Sequence, residues 1–169
     1  WLPVWIQLEN GGPDLETEVR VRVAGRAGAT TYARPVSLPT GSRKRVPVYV
    51  LPNNFTRALE VQLVDGEGAV LASAQAPVKP QPNVSFMVGL LAEERGALSL
   101  ISAGEIPGAA RPIVLIDLSV QELPERVEGL RSFDLLILND VDTSTMPPGQ
   151  GQALETWVRQ GGRLVIGGG

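Results

Sequence analysis

The apolar pattern of this chain changes character at one proline-rich stretch, Pro77-Val78-Lys79-Pro80-Gln81-Pro82-Asn83. Before it, hydrophobic residues alternate with polar ones. Val19, Val21 and Val23 are interleaved with Glu18, Arg20 and Arg22, and Val46, Val48 and Val50 repeat the pattern. Alternation with period two puts every second side chain of a strand on a core and leaves the others in water. After the prolines the apolar residues run without alternation, in Phe86–Leu91, Ile113–Ile116, Leu135–Leu138 and Leu164–Ile166. Such runs fit strands covered on both faces. Few folds accommodate both patterns, so two domains are predicted, with residues 77–83 as an extended, semi-rigid linker.

Residues 1–76 read as an all-β sandwich of immunoglobulin-like type. Leu2, Val4, Ile6 and Leu8 form the first alternating set, and Leu59, Val61 and Leu63 lead through Asp65-Gly66-Glu67-Gly68 into Ala69–Ala74 as a terminal hairpin. Asn10-Gly11-Gly12-Pro13, Pro39-Thr40-Gly41 and Pro52-Asn53-Asn54 break the strands apart. The run from Pro35 to Val50 resembles immunoglobulin-like modules of bacterial cell-surface proteins, which implies a spacer or an adhesive surface. Arg43-Lys44-Arg45 is either a patch for an anionic partner or a charged guard on an edge strand. Trp1 and Trp5 either mark a partner surface or contact residues of the protein that lie outside this fragment.

Residues 84–169 alternate strand and helix, which implies right-handed crossovers and a doubly wound parallel α/β sheet. Glu93 to Ser102 reads as a helix stopped at Gly104, and Leu123 to Arg131 as one or two turns. The clearest helix runs from about Pro147 to Gln160, with Leu154, Trp157 and Val158 on one face and Glu155 four residues before Arg159. Ser144 or Thr145 is expected to cap its start and Gly161 to supply a left-handed residue beyond its end. For a sheet with strand order 2-1-3-4, a ligand crevice falls at the carboxyl ends of the first and third strands. Candidate lining residues are Gly89, Asp117, Ser119, Asn139, Asp140, Asp142, Gly167 and Gly168. Asp117, Asp140 and Asp142 are weak candidates for a hard cation, since carboxylates suit Mg²⁺ or Ca²⁺. Their other reading is structural, as acceptors in turns and caps.

The chain has neither cysteine nor histidine, which removes thiolate nucleophiles, disulfides, Cys/His zinc sites and a Ser-His-Asp triad together. A net charge of -3 provides no broad basic surface for nucleic acid. No cofactor is expected, because no phosphate-binding glycine fingerprint occurs. No run is long enough to insert this fragment into a membrane.

Gly129-Leu130, Phe133–Leu138 and above all Ala153–Ile166 resemble the class I glutamine amidotransferase-like fold, in its non-catalytic branch of bacterial membrane-anchored proteins. The resemblance implies a flavodoxin-like sheet that is truncated here after its fourth strand. In the enzymatic branch a catalytic cysteine stands on the turn after the strand matching Arg163 to Ile166; here that turn is Gly167-Gly168-Gly169. The expected function is therefore a non-enzymatic interaction or ligand-sensing module, tethered outside the cytoplasm by segments beyond this piece. Its expected partners are another protein, other domains of its own chain, or a second copy paired through the truncated sheet. The alternative is a metal-dependent hydrolase built on the three aspartates.

Overall fold

Residues 1–26, 28–82, 84–92 and 112–168 are described in the computed structural model. They form a largely β structure of several sheets, one of them parallel, and divide into two units, Trp1–Pro80 and Gln81–Gly169.

The first unit contains β1 (Leu2–Glu9), β2 (Leu15–Gly25), β3 (Gly28–Leu38), β4 (Arg43–Val50), β5 (Ala58–Asp65) and β6 (Val70–Pro77). β1 and β4 pair as a two-stranded antiparallel sheet; the others form a four-stranded antiparallel sheet in the order β3-β2-β5-β6. The alternation in β2 carries the core: Val19 and Val21 are 0% exposed, and each such burial contributes about 1.5–3 kcal/mol. Val36, Leu38, Val46, Val48, Val50 and Leu59 complete the cluster. The expected hairpin forms, with the Asp65 carboxylate accepting from the amides of Glu67 (3.0 Å) and Ala69 (2.8 Å). The Val78 amide donates to the Arg57 carbonyl at 2.8 Å. The antiparallel ladder thus continues two residues into the stretch read as linker.

The charged run of β4 is satisfied internally. Arg43 pairs with Glu9 at 3.3 Å, Lys44 donates to the Ser37 carbonyl at 2.6 Å, and the Arg45 guanidinium stands 4.7 Å from the centre of the Trp5 ring. These contacts favour the edge-guarding role over an anion patch. Trp1 meets Tyr32 edge-on, with ring centres 6.0 Å apart.

The second unit has a parallel sheet of β7 (Phe86–Ala92), β8 (Ile113–Asp117), β9 (Leu135–Asn139) and β10 (Leu164–Gly167). Across the sheet they stand in the order β8-β7-β9-β10, which is the expected 2-1-3-4. The continuous apolar runs supply two faces. Leu91, Leu136 and Leu138 pack with Leu123, Leu130, Ala153, Leu154 and Trp157 on one, while Val88, Leu90 and Ile137 group on the other. The helix expected from Glu93 to Ser102 lies outside the described residues. A 3-10 turn at Val120–Glu122 and the short helix α1 (Val127–Leu130) occupy the irregular stretch.

Helix α2 spans Pro148–Arg159. Its buried residues are Gln150, Ala153, Leu154 and Trp157, the i, i+3, i+4, i+7 stripe of one helical face. Val158 falls beside that stripe and is 40% exposed, contrary to the sequence expectation. The proposed caps are also displaced: Ser144 and Thr145 lie in a separate 3-10 turn, and Pro147 precedes the first turn of α2. Beyond the helix Gly161 has φ 98°. Its amide donates to Val158 at 3.0 Å and that of Gly162 to Trp157 at 2.9 Å, the paired bonds of a Schellman stop. The Glu155–Arg159 pair closes at 2.6 Å. Among the described residues no helix is long and apolar enough to cross a membrane.

Candidate functional site

Parallel strands direct their carboxyl ends to one edge of the sheet, and the chain leaves the central β7 first for β8 and later for β9 on the opposite side. Such a reversal is where open α/β sheets place a ligand crevice, which puts the candidate site above the ends of β7 and β9. The register places Ala92 and Gly167 on either side of Asn139, and Leu90 beside Asp117. A hydrogen bond from the Leu118 amide to the Leu90 carbonyl, 2.8 Å, extends the ladder past β8.

Three candidates converge at the end of β9. The Asn139 side-chain amide donates to the Asp140 carboxylate at 3.1 Å, and the Asp140 amide donates to the Gly167 carbonyl at 3.3 Å. Among the described residues Asp140 is the non-glycine residue with positive φ, 51°. Aspartate tolerates that left-handed backbone better than most residues, and it turns the chain sharply off the strand. At Gly167 a Cβ would stand 2.3 Å from the Asn139 carboxamide oxygen, whereas at Gly168 it would meet nothing within 4 Å. A side chain at Gly167 would therefore need the Asn139 carboxamide to turn away. Gly169 lies outside the described residues.

The remaining candidates are engaged in local structure or lie elsewhere. Asp142 caps the turn at Thr143–Thr145, accepting from the Ser144 hydroxyl at 2.6 Å and the Ser144 amide at 3.0 Å. Those two bonds, the hydroxyl's first, hold its carboxyl below the ordinary carboxylate value. Ser119 donates through its amide (2.9 Å) and hydroxyl (2.8 Å) to the carboxylate of Glu122. Asp117 is the exposed last residue of β8. Gly89 does not line the crevice: β7 continues to Ala92, which leaves Gly89 in mid-strand and buried. A Cβ there would stand 2.5 Å from Leu136 and 3.1 Å from Phe133, so its small size serves helix-side packing against the sheet.

The three aspartates do not assemble into a cation site. Among the described residues no group of three or more His, Cys, Asp or Glu is placed to hold a metal ion. The reason is local: Asp142 is drawn to Ser144 and Asp140 to Asn139, one on each side of the turn. What the arrangement provides is a polar rim of amide and carboxylate groups around a backbone bend, suited to hydrogen bonding.

Two residues important to this edge were not among the candidates. Glu122 was signalled by Ser119-Val120-Gln121-Glu122, the S-x-x-E pattern of a capping box. Gln150 is 2% exposed, and its amide donates to the carbonyls of Val120 (2.7 Å) and Leu123 (2.9 Å). It fastens α2 to the segment after β8. Nothing in its neighbourhood of the sequence marks a glutamine as buried.

A family model described as a domain of unknown function, DUF8726, matches residues 1–79. The match covers the first unit and stops at its boundary. No curated protein matches the chain.

Proposed function

We propose that this chain is a non-catalytic interaction or ligand-sensing module of a membrane-tethered, extracytoplasmic bacterial protein. In this reading an immunoglobulin-like sandwich acts as spacer or adhesive surface, and a doubly wound, amidotransferase-like α/β domain presents the crevice at the ends of β7 and β9 to a protein partner or small ligand.

The observation that carries the reading is the turn after β10. The parallel order 2-1-3-4 matches what the resemblance implies, and the turn where the enzymatic branch carries its nucleophile is Gly167-Gly168-Gly169, which offers no side chain to attack a substrate. Hydrolysis by covalent catalysis needs an activated nucleophile there. The first unit supports the other half of the reading through its connectivity. A two-stranded sheet of β1 and β4 with a sheet of β3, β2, β5 and β6 corresponds to strands B and E opposite C′, C, F and G of an immunoglobulin-like sandwich. Placement outside the cytoplasm rests on the resemblance alone.

The test is an activity assay with glutamine, together with calorimetry against Mg²⁺, Mn²⁺ and Ca²⁺. Absence of ammonia release and of heat at millimolar metal is the expected result. Ammonia release abolished by altering Asp140 or Asp142 would overturn the non-catalytic reading, and saturable metal binding lost in the same variants would reinstate the hydrolase.

A further inference from the structure

The four-stranded sheet of the first unit is twice as wide as the sheet that faces it. Strands in a sheet lie about 4.8 Å apart, so two of them cover about half of four. β4 lies against part of β3, where Arg34 donates to the Pro47 carbonyl at 2.8 Å. Along β5 Leu59 is buried while Val61 and Leu63 are half-buried, and every residue of β6 except Ala76 is exposed.

Each sheet has two edges, and three of these four edge strands are blocked. Pro3 of β1, Pro47 of β4 and Pro35 of β3 each lack the donor that an incoming strand would need. Glu9, Arg43, Arg45 and Arg34 add charge to the same edges. β6 has neither device. Its sequence, Val70-Leu71-Ala72-Ser73-Ala74-Gln75-Ala76-Pro77, carries no charge and no proline before its last position.

The phase of the ladder shows which groups are free for pairing. Because the Val78 amide bonds to Arg57, the register makes Leu59–Ala76 and Val61–Ala74 hydrogen-bonded pairs, and Glu60–Gln75 and Gln62–Ser73 the non-bonded ones. The backbone amides and carbonyls of Ser73 and Gln75 therefore point away from β5, toward the open edge. The side chains of Ala72, Ala74 and Ala76 share the inward face with Val61 and Leu63.

We propose that β6 is a homodimerisation edge. Two copies pair antiparallel about a twofold axis at Ala74, with Ser73 of each opposite Gln75 of the other, joining the two four-stranded sheets into one. The partner is a second copy because the strand that fits here must be uncharged, proline-free and small on its inward face. At a non-bonded pair the Cα atoms approach to about 4.5 Å, and alanine against alanine satisfies that approach. β6 meets its own requirement, and two neutral strands meet without repulsion in an isologous contact.

The experiment is sedimentation equilibrium of the full chain over a range of concentrations, with amide exchange followed by NMR. The expected result is a concentration-dependent dimer in which Ser73 and Gln75 amides gain protection as the dimer fills. Ala74→Lys sets two ammonium groups face to face and raises the dimer dissociation constant by roughly a hundredfold, while Ile166→Lys on the exposed edge of β10 leaves it unchanged. A chain that stays monomeric at all concentrations overturns the proposal. So does a dimer that Ile166→Lys dissociates, or Ser73 and Gln75 exchange rates that ignore concentration. The exchange measurement stands even where Ala74→Lys fails to fold.

Discussion

In the first unit, Gly41 and Gly68 turn the chain at φ 70° and 87°, and a Cβ on either would meet nothing within 4 Å. In the second, the Cβ of an alanine at Gly162 would lie 2.2 Å from the Trp157 ring, and one at Gly89 2.5 Å from Leu136. At these positions glycine supplies backbone freedom in one unit and empty space in the other, with Gly161 at the end of α2 as the second unit's conformational case and Gly25, whose Cβ would stand 2.9 Å from the Gly28 carbonyl oxygen, as the first unit's spatial one. The difference follows from how each unit buries its strands. A half-buried antiparallel sheet depends on tight reversals between neighbours, whereas a parallel sheet depends on how closely helices and rings approach it.

The comparison breaks most readily at Gly162. The Trp157 ring is 4% exposed and rigid, so Gly162→Ala displaces it and strains the Schellman stop as well. The expected loss is about 3 kcal/mol, at the upper end of overpacking costs, read as a shift in urea midpoint at constant slope. A variant as stable as the parent would show that the ring has room, and that glycine serves here for its backbone after all.

Next in size is the polar tie between α2 and the turn after β8. Gln150→Leu keeps the volume and removes both donated bonds, leaving the Leu123 carbonyl buried without its partner. A loss of about 1–2 kcal/mol is expected, with faster amide exchange in the first turns of α2. Equal stability would mean that water enters to replace the amide.

The first unit should respond differently. Gly68→Ala is expected to cost about 1 kcal/mol and Gly68→Asn only a few tenths, since asparagine accepts left-handed backbone. Equal losses from the two substitutions would point to crowding rather than conformation and erase the contrast with Gly162.

The same contrast explains what could be read from the sequence. Val19, Val21 and Val23 announce their strand because one face is covered and the other is not. β3 lacked such a signal: from Gly28 to Arg34 every residue except Tyr32 is exposed. The continuous runs located β7 to β10, and their order came from the flavodoxin-like sheet that the resemblance implies. They could not fix where each strand ended, which is why Gly89 was assigned to the crevice when Leu91 and Ala92 still follow it in β7. At the site, Asn139 to Asp142 was identifiable as a polar segment after a strand. Which of its carboxylates face one another depends on hydrogen bonds one or two residues away, and those are invisible to spacing.

The smallest effect compares one carboxylate from each unit. Asp14 is held below its ordinary value first by the Thr40 amide (2.7 Å) and then by the Thr40 hydroxyl (2.9 Å); Asp142 first by the Ser144 hydroxyl and then by the Ser144 amide. Because both values are lower in the folded chain than in the unfolded one, each group stabilises the fold fully above its unfolded value. That contribution fades as pH falls through the unfolded and then the folded value. Asn at either position keeps an acceptor for the amide and removes the titration. Asp14→Asn and Asp142→Asn are therefore each expected to flatten the acid limb of a stability–pH profile slightly, with no change of slope near neutrality. Asp14 leans mainly on a backbone amide that asparagine still satisfies, and Asp142 mainly on a hydroxyl that can rotate. The expected consequence is that amide exchange at Thr40 survives Asp14→Asn better than exchange at Ser144 survives Asp142→Asn. The reverse order would mean that the loop between β9 and α2 is held by packing instead of by this carboxylate.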